Sequence, residues 1–218
     1  MHRVLLGITG SVAAIRAPAL LRQLLDGGHD VKAVATRASR YFFDPADLGR
    51  DPAKPADFTH DRLFLDEDEW PGARYERDQA VLHIELRRWA DVLVIAPLDA
   101  NTLAKMALGL ADNCLTCVWR AWDWARPVIL APAMNTLMWE HPLTCRHLLQ
   151  LGGDLAGVTP PPAASAEDAI AWIHSASPRL RIVGPQSKML ACGDVGMGGL
   201  AEVAEIAAAV RDMVGKGS

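Results

Sequence analysis

Short apolar runs recur along this chain, each closed by small or polar residues and separated from the next by a stretch with apolar side chains at helical spacing. The runs are Val4 to Ile8, Val31 to Ala35, Asp91 to Ala96, Val128 to Ala131 and Arg181 to Gly184. Helical stretches cover Val12 to Leu25, Val81 to Trp89, Asn101 to Ala111 and Asn113 to Trp124, with others after Asn135 and from Ala201. Continuously apolar strands are those buried on both faces, and parallel neighbours need a helical crossover. The predicted fold is therefore α/β: a doubly wound parallel sheet, Rossmann-like or flavodoxin-like, in a single domain over residues 1–218.

Composition supports one core. Half of the 218 residues are hydrophobic, enough apolar surface to offset chain entropy and exclude disorder. No apolar stretch approaches the roughly 20 residues of a membrane helix, and Met1 leads straight into a strand, so a cytoplasmic protein is expected. The net charge of −4 gives no general attraction to nucleic acid or to an anionic membrane. Residues 44–79 hold 11 of the 26 acidic residues but 5 of the 22 basic ones, with four prolines and little periodicity. They read as an acidic surface excursion, and the rest of the chain is slightly positive.

Three strand ends share a pattern: Gly7 to Ser11, Ala96 to Thr102 and Ala131 to Asn135 each pass from an apolar run through small or polar residues into a helix. Glycine lets a ligand approach the backbone, hydroxyls supply hydrogen bonds, and helix N-termini present unpaired amides. Gly10 and Ser11 alone are equally well explained as a tight turn and a helix cap. Three matching ends point instead to a cofactor cleft beyond the strands. The first turn is neither GxGxxG nor a Walker loop, which disfavours NAD and ATP and leaves a mononucleotide such as FMN.

Other residues divide between chemistry and packing. His83 faces Leu86, Arg87 and Ala90 at helical spacing, a setting more typical of a packed or capping imidazole than of a metal ligand. Cys114 and Cys117 form a CxxC inside an apolar helix with no second ligand pair, so they read as core, and no metal site is expected. Trp119, Trp122 and Trp124 read as packing or subunit-contact residues, on a helix from Cys114 to Trp124 whose apolar face is a candidate contact surface. Cys192 differs, because four of the seven residues after it are glycine, in a flap at about residues 187–200.

The chain resembles the flavin-dependent cysteine decarboxylases. The likeness runs from Val4 to about Val210 and rests on blocks in the family's order and spacing. These are GSVAA from Gly10, HIELRRWADVLVIAPLDANTLAK from His83, DNCLTCVWRAWD from Asp112, APAMNTLMWEHP from Ala131 and ACGDVGMGGLAE from Ala191. The chain departs from the family at Cys114, where Leu is usual, and at Gly199 and Leu200.

The resemblance implies a flavoprotein holding FMN through Gly10, Ser11, Val12 and Ala13, through Thr36, Arg37 and Ala38, through Pro97, Leu98, Asp99, Ala100 and Asn101, and through Ala131. It implies His83 as the active-site base, Asn135 as the group holding the substrate carboxylate, and Cys192 as the proton donor of the flap. Met189, Ala191 and Leu200 would complete the substrate contacts. The implied activity is decarboxylation of phosphopantothenoylcysteine to 4'-phosphopantetheine in coenzyme A biosynthesis, in a homotrimer or a multiple of one.

Oxidation precedes the loss of CO2 for a physical reason. A cysteine carboxylate that loses CO2 leaves a carbanion with nowhere to delocalise, whereas oxidising the thiol to a thioaldehyde creates a C=S electron sink. Re-reduction of the resulting enethiolate then needs a proton donor, the part assigned to Cys192. A peptidyl-cysteine decarboxylase would stop at the oxidised enethiol and has no use for that cysteine. A flavin prenyltransferase and a regulatory, phosphatase-binding subunit of the same fold are the remaining alternatives. His83, Asn135 and Cys192 on one chain without a long acidic tail weigh against the last.

Overall fold

In the computed structural model, residues 1–51, 53–72, 74, 77–189 and 195–215 are described. Six strands form the main sheet: β1 (Arg3–Ile8), β2 (Asp30–Ala35), β3 (Leu63–Leu65), β4 (Val92–Leu98), β5 (Val128–Pro132) and β6 (Leu180–Ile182). All neighbours pair in parallel, in the order β3-β2-β1-β4-β5-β6. Among the described residues, eight α-helices accompany them: α1 (Ala17–Asp26), α2 (Leu82–Trp89), α3 (Ala100–Leu108), α4 (Cys114–Arg120), α5 (Thr136–Trp139), α6 (Pro142–Ala156), α7 (Ala166–Ala176) and α8 (Val203–Gly215). A separate antiparallel hairpin, β7 (Gln186–Met189) and β8 (Val195–Gly199), precedes α8.

Alternation along each strand divides the core in two. Val4, Leu6 and Ile8 pack with Val31, Ala33 and Ala35 beneath α1 and α8. Leu5, Val34, Leu93 and Ile95 point to the opposite face, where α2, α3, α4, α6 and α7 supply Leu86, Leu103, Leu115, Leu148 and Ile173. Strand residues of opposite parity reach opposite faces, so a run apolar at every position has to be covered twice. At Gly7 the absence of a side chain brings α4 close to β1, since a Cβ there would stand 2.6 Å from Leu115 Cδ1.

The expected doubly wound sheet is present, with three local differences. The stretch from Val12 begins as a 3-10 turn, Val12–Arg16, and becomes α-helix at Ala17, with Pro18 in the first turn where its missing N–H costs nothing. The helix begun at Asn113 ends at Arg120 rather than Trp124, and Trp124 folds back edge-to-face on Trp119 with ring centroids 4.7 Å apart. Cys114, Leu115, Val118, Trp119 and Trp122 are buried within the chain, so the apolar face of this helix is core and not a subunit contact surface.

The third difference concerns residues 44–79, which do more than cover the surface. Leu63, Phe64 and Leu65 are at most 3% exposed and extend the sheet as β3, with Ala33 opposite Leu63. The four acids that follow, Asp66 to Glu69, form a 3-10 turn in which each carboxylate has its own partner. Asp66 accepts from the backbone amides of Arg37 (2.9 Å) and Cys114 (3.3 Å), and Glu67 pairs with Arg40. Asp68 holds the buried Arg50 at 2.9 Å and caps Leu65 N at 2.8 Å, while Glu69 turns inward to His83. Burial raises the Asp66 carboxyl above its usual range, against the pull of its two amide donors.

Candidate active site

Strand order reverses between β1 and β4, and their carboxyl ends are stitched together by one side chain. Thr9, fully buried, donates from Oγ1 to Pro97 O (2.8 Å) and accepts from Asp99 N (2.7 Å), and its own amide donates to Pro97 O (3.2 Å). Thr36 N donates to Ile8 O at 3.0 Å and brings the end of β2 alongside. A crevice at such a reversal point is where doubly wound sheets bind ligands.

Gly10 sits at the centre of this arrangement. A Cβ on it would stand 2.6 Å from Ala38 Cβ and 3.1 Å from Asp99 Oδ2, so the turns after β1, β2 and β4 meet there and only glycine fits. Two of these turns open helices. Ser11 accepts from Ala13 N (3.3 Å) at the start of the 3-10 turn, and Asp99 caps α3 through Thr102 N (2.7 Å).

The predicted cofactor residues divide by what they can offer. Gly10, Ser11, Ala13, Thr36, Arg37, Ala38, Asp99, Ala100 and Asn101 lie in the turns that meet at the crevice, and Val12 is 45% exposed beside them. Leu98 and Ala131 are fully buried strand residues, and the carbonyl of Pro97 is engaged by Thr9, so these three shape the floor. Thr36 Oγ1 is buried without a hydrogen-bond partner. A hydroxyl so placed at the crevice costs stability until something polar meets it. That observation fits a mononucleotide with hydrogen-bonding edges.

Asn135 begins α5, where its Oδ1 accepts from Leu137 N at 2.9 Å, a bond that fixes the plane of the amide. The hairpin rests on this turn. Met134 N donates to Gly198 O at 2.9 Å, and Gly198 has φ of 138° with space for no side chain, since a Cβ would stand 2.1 Å from Met134 O. Gly196 is similarly close to Thr136, with 2.4 Å from the same construction to Oγ1. Gly196 and Gly198 thus seat the β7–β8 hairpin on the Asn135 turn. Cys192 and Ala191 lie outside the described residues, and Met189 ends β7. Leu200 is 4% exposed, with its side chain in the core beneath α1 and α8.

His83 stands at the first turn of α2, and its principal partner is a residue that sequence reasoning missed. Val81 precedes the helix without a capping side chain, and the buried Glu69 takes that part from a distance. Its Oε2 accepts from His83 N at 3.1 Å and its Oε1 lies 2.5 Å from His83 Nδ1. The Cys114 thiol also hydrogen-bonds to Glu69, and burial together with that carboxylate pushes the thiol far above its ordinary range, which makes it inert. Glu69 lay hidden inside the run Asp66 to Glu69, counted as surface charge. Among the described residues no cluster of His, Cys, Asp and Glu suited to a metal is found, and no helix is long and apolar enough to cross a membrane.

His83 and Asn135 are not neighbours within the sheet. His83 is held by Glu69, which follows β3 at one edge of the sheet, whereas Asn135 follows β5, four places along in the strand order.

Comparison with known proteins agrees with this geometry. The flavoprotein family model matches residues 1–215. A phosphopantothenoylcysteine decarboxylase of Mus musculus is 43% identical over 210 residues, covering 96% of this chain and 85% of the mouse protein. Among solved structures, a cysteine-to-serine mutant of PPC decarboxylase complexed with pantothenoylaminoethenethiol superposes with a TM-score of 0.77, at 42% identity and 98% coverage of both chains. The FMN-binding protein AtHal3 gives a TM-score of 0.73 at 43% identity, covering 99% of this chain and 97% of its own.

Proposed function

The chain belongs to the flavoprotein family, and from that premise we propose that it is an FMN-dependent carboxy-lyase, converting phosphopantothenoylcysteine to 4'-phosphopantetheine in coenzyme A biosynthesis. The observation that carries this reading is the meeting of the turns after β1, β2 and β4 around Gly10, beside an unpartnered Thr36 hydroxyl, in a chain with decarboxylase relatives along nearly its whole length.

Ser11, Ala13, Thr36, Arg37, Ala38 and the turn from Asp99 to Asn101 would hold the flavin, with Gly10 letting it approach the backbone. Bound there, FMN would supply a two-electron acceptor and donor for chemistry at the substrate thiol. Asn135, its amide plane fixed by Leu137 N, holds the substrate carboxylate until the C–C bond breaks. His83 accepts or returns a proton at the reacting carbon or sulfur, with Glu69 behind it. Cys192 gives the proton that completes the reduced product. The β7–β8 hairpin, seated on residues 134–136, covers the substrate and keeps water away.

Because strand order separates His83 from Asn135, a reaction centre using both takes them from adjoining subunits, which supports a homotrimer with flavin sites at the contacts. The exposed apolar residues Leu137, Met138 and Leu143 are available for such contacts, in place of the buried face of α4. We place the protein in the cytoplasm, the compartment in which its four cysteines would stay reduced.

The test is to incubate the purified, flavin-loaded protein with phosphopantothenoylcysteine and measure CO2 and the redox state of the product. Stoichiometric CO2 with 4'-phosphopantetheine is expected. Intact substrate would sink the enzymatic reading, and an oxidised enethiol as the only product would move it to the peptidyl type.

The Thr36 hydroxyl gives a second check. Thr36→Val removes a buried oxygen that lacks a protein partner, so the apo-protein should be no less stable. FMN should bind about fivefold more weakly, as expected for one lost hydrogen bond of about 1 kcal/mol. Equilibrium dialysis of FMN alongside apo-protein melting measures both, and an unchanged FMN affinity would remove Thr36 from the site.

A further inference from the structure

We propose that Glu69 is the positioning residue of His83: its buried carboxylate holds the imidazole in the tautomer with the proton on Nδ1 and turns Nε2 towards the reacting centre. This rests on the assignment of His83 as the active-site base, and it adds to that assignment which nitrogen acts and what makes it do so.

Glu69 touches His83 twice, at the backbone amide (3.1 Å) and at Nδ1 (2.5 Å). The Glu69 side chain is 2% exposed and that of His83 18%, so water competes little for either bond. A carboxylate only accepts hydrogen bonds, and a neutral imidazole has one donor and one acceptor nitrogen. Facing a carboxylate, Nδ1 has to be the donor, which leaves Nε2 as the acceptor able to take a proton from substrate. The second contact makes the orientation rigid, because the carboxylate that orients the ring also caps the helix carrying it. The Cys114 thiol provides a further hydrogen bond to the same carboxylate. Glu69 therefore meets donors from His83 and Cys114, an arrangement that keeps it an acceptor and fixes its plane.

No other charged group among the described residues makes a hydrogen bond or ion pair with His83, so the effect is specific to Glu69. The arrangement is the general one in which a buried carboxylate sets the tautomer of a catalytic imidazole, where an amide in its place presents the wrong one.

The experiment uses the flavin-loaded protein labelled with 15N at histidine. In the wild type, the His83 resonances should report a protonated Nδ1 and an unprotonated Nε2. Glu69→Gln keeps size and one carbonyl acceptor but can turn an NH2 towards Nδ1, and it should shift the population to the Nε2–H tautomer. Turnover should fall at least about tenfold in kcat with KM within about twofold, and Glu69→Asp should restore the wild-type tautomer. An unprotonated Nδ1 in the wild type would overturn the proposal even if no variant folds, and so would a Glu69→Gln protein with unchanged tautomer or unchanged kcat. A His83→Asn protein with normal turnover would instead sink the assignment of His83 on which the proposal stands, whatever the tautomer.

Discussion

Cys192→Ser should release CO2 yet fail to make the reduced product. In the proposed reaction, the first half, thiol oxidation and loss of CO2, uses an electron acceptor and the groups at His83 and Asn135. The second half needs a proton as the electron pair returns to the enethiolate. A thiol with an ordinary pKa near 8.5 gives that proton readily, whereas a serine hydroxyl is far weaker as an acid. The variant should therefore form one equivalent of CO2 per bound flavin under anaerobic conditions and accumulate the ethenethiol. Formation of 4'-phosphopantetheine should fall by about 10²-fold or more, in line with the loss of a general acid. Quantifying the two products by mass spectrometry after a single turnover decides the matter, and normal phosphopantetheine formation would refute the proton-donor assignment.

Gly198→Ala should be nearly as damaging, for a reason unrelated to proton transfer. At φ of 138° an L side chain is strained, a cost of order 1–3 kcal/mol, and here the new Cβ would also stand 2.1 Å from Met134 O. Neither problem is relieved by a rotamer change, because the obstacle is backbone. The hairpin has to lift from the turn that carries Asn135, breaking the bond from Met134 N to Gly198 O. With roughly 3 kcal/mol involved, kcat/KM should fall about 100-fold. FMN should still bind, since the turns after β1, β2 and β4 are remote from Gly198 in the chain and held by Thr9 and Gly10. Substrate titration of the FMN-loaded variant measures this. Unimpaired kcat/KM would show that the hairpin does not have to sit on residues 134–136 for catalysis.

Much of this architecture was legible in the sequence, because the alternation of apolar runs and helical stretches dictates a two-faced sheet. β1, β2, β4, β5 and β6 fall within two residues of the runs read from periodicity. Strand β3 was not legible. Three apolar residues between charged flanks carry too little periodic signal, and only their position beside Ala33 to Ala35 makes them a strand. The helix from Ala166 to Ala176 and the β7–β8 pairing were passed over for the same reason, lacking strong apolar repeats of their own.

At the site, the strand-end turns could be picked out because glycine and capping residues announce themselves locally. The meeting of Gly10, Ala38 and Asp99 could not, since it depends on the order of strands. Glu69 was hidden by charge counting. A run of four acids looks like solvated surface, and which of them turns inward is decided by the buried strand before it and the uncapped helix after it. Trp119 and Trp122 taught the converse, that an apolar helix surface read as an interface can belong to the core.

The placement of β3 has a bearing on how the chain tolerates change in length. Were the link between β2 and α2 trimmed to a short connection, Ala33 to Ala35 would become the rim of the sheet, with unpaired amides and carbonyls on the apolar end of β2. Such a rim is a template for pairing with other chains. The acidic segment thus guards against self-association, and a deletion there would endanger the protein's solution behaviour before it touched any reacting group.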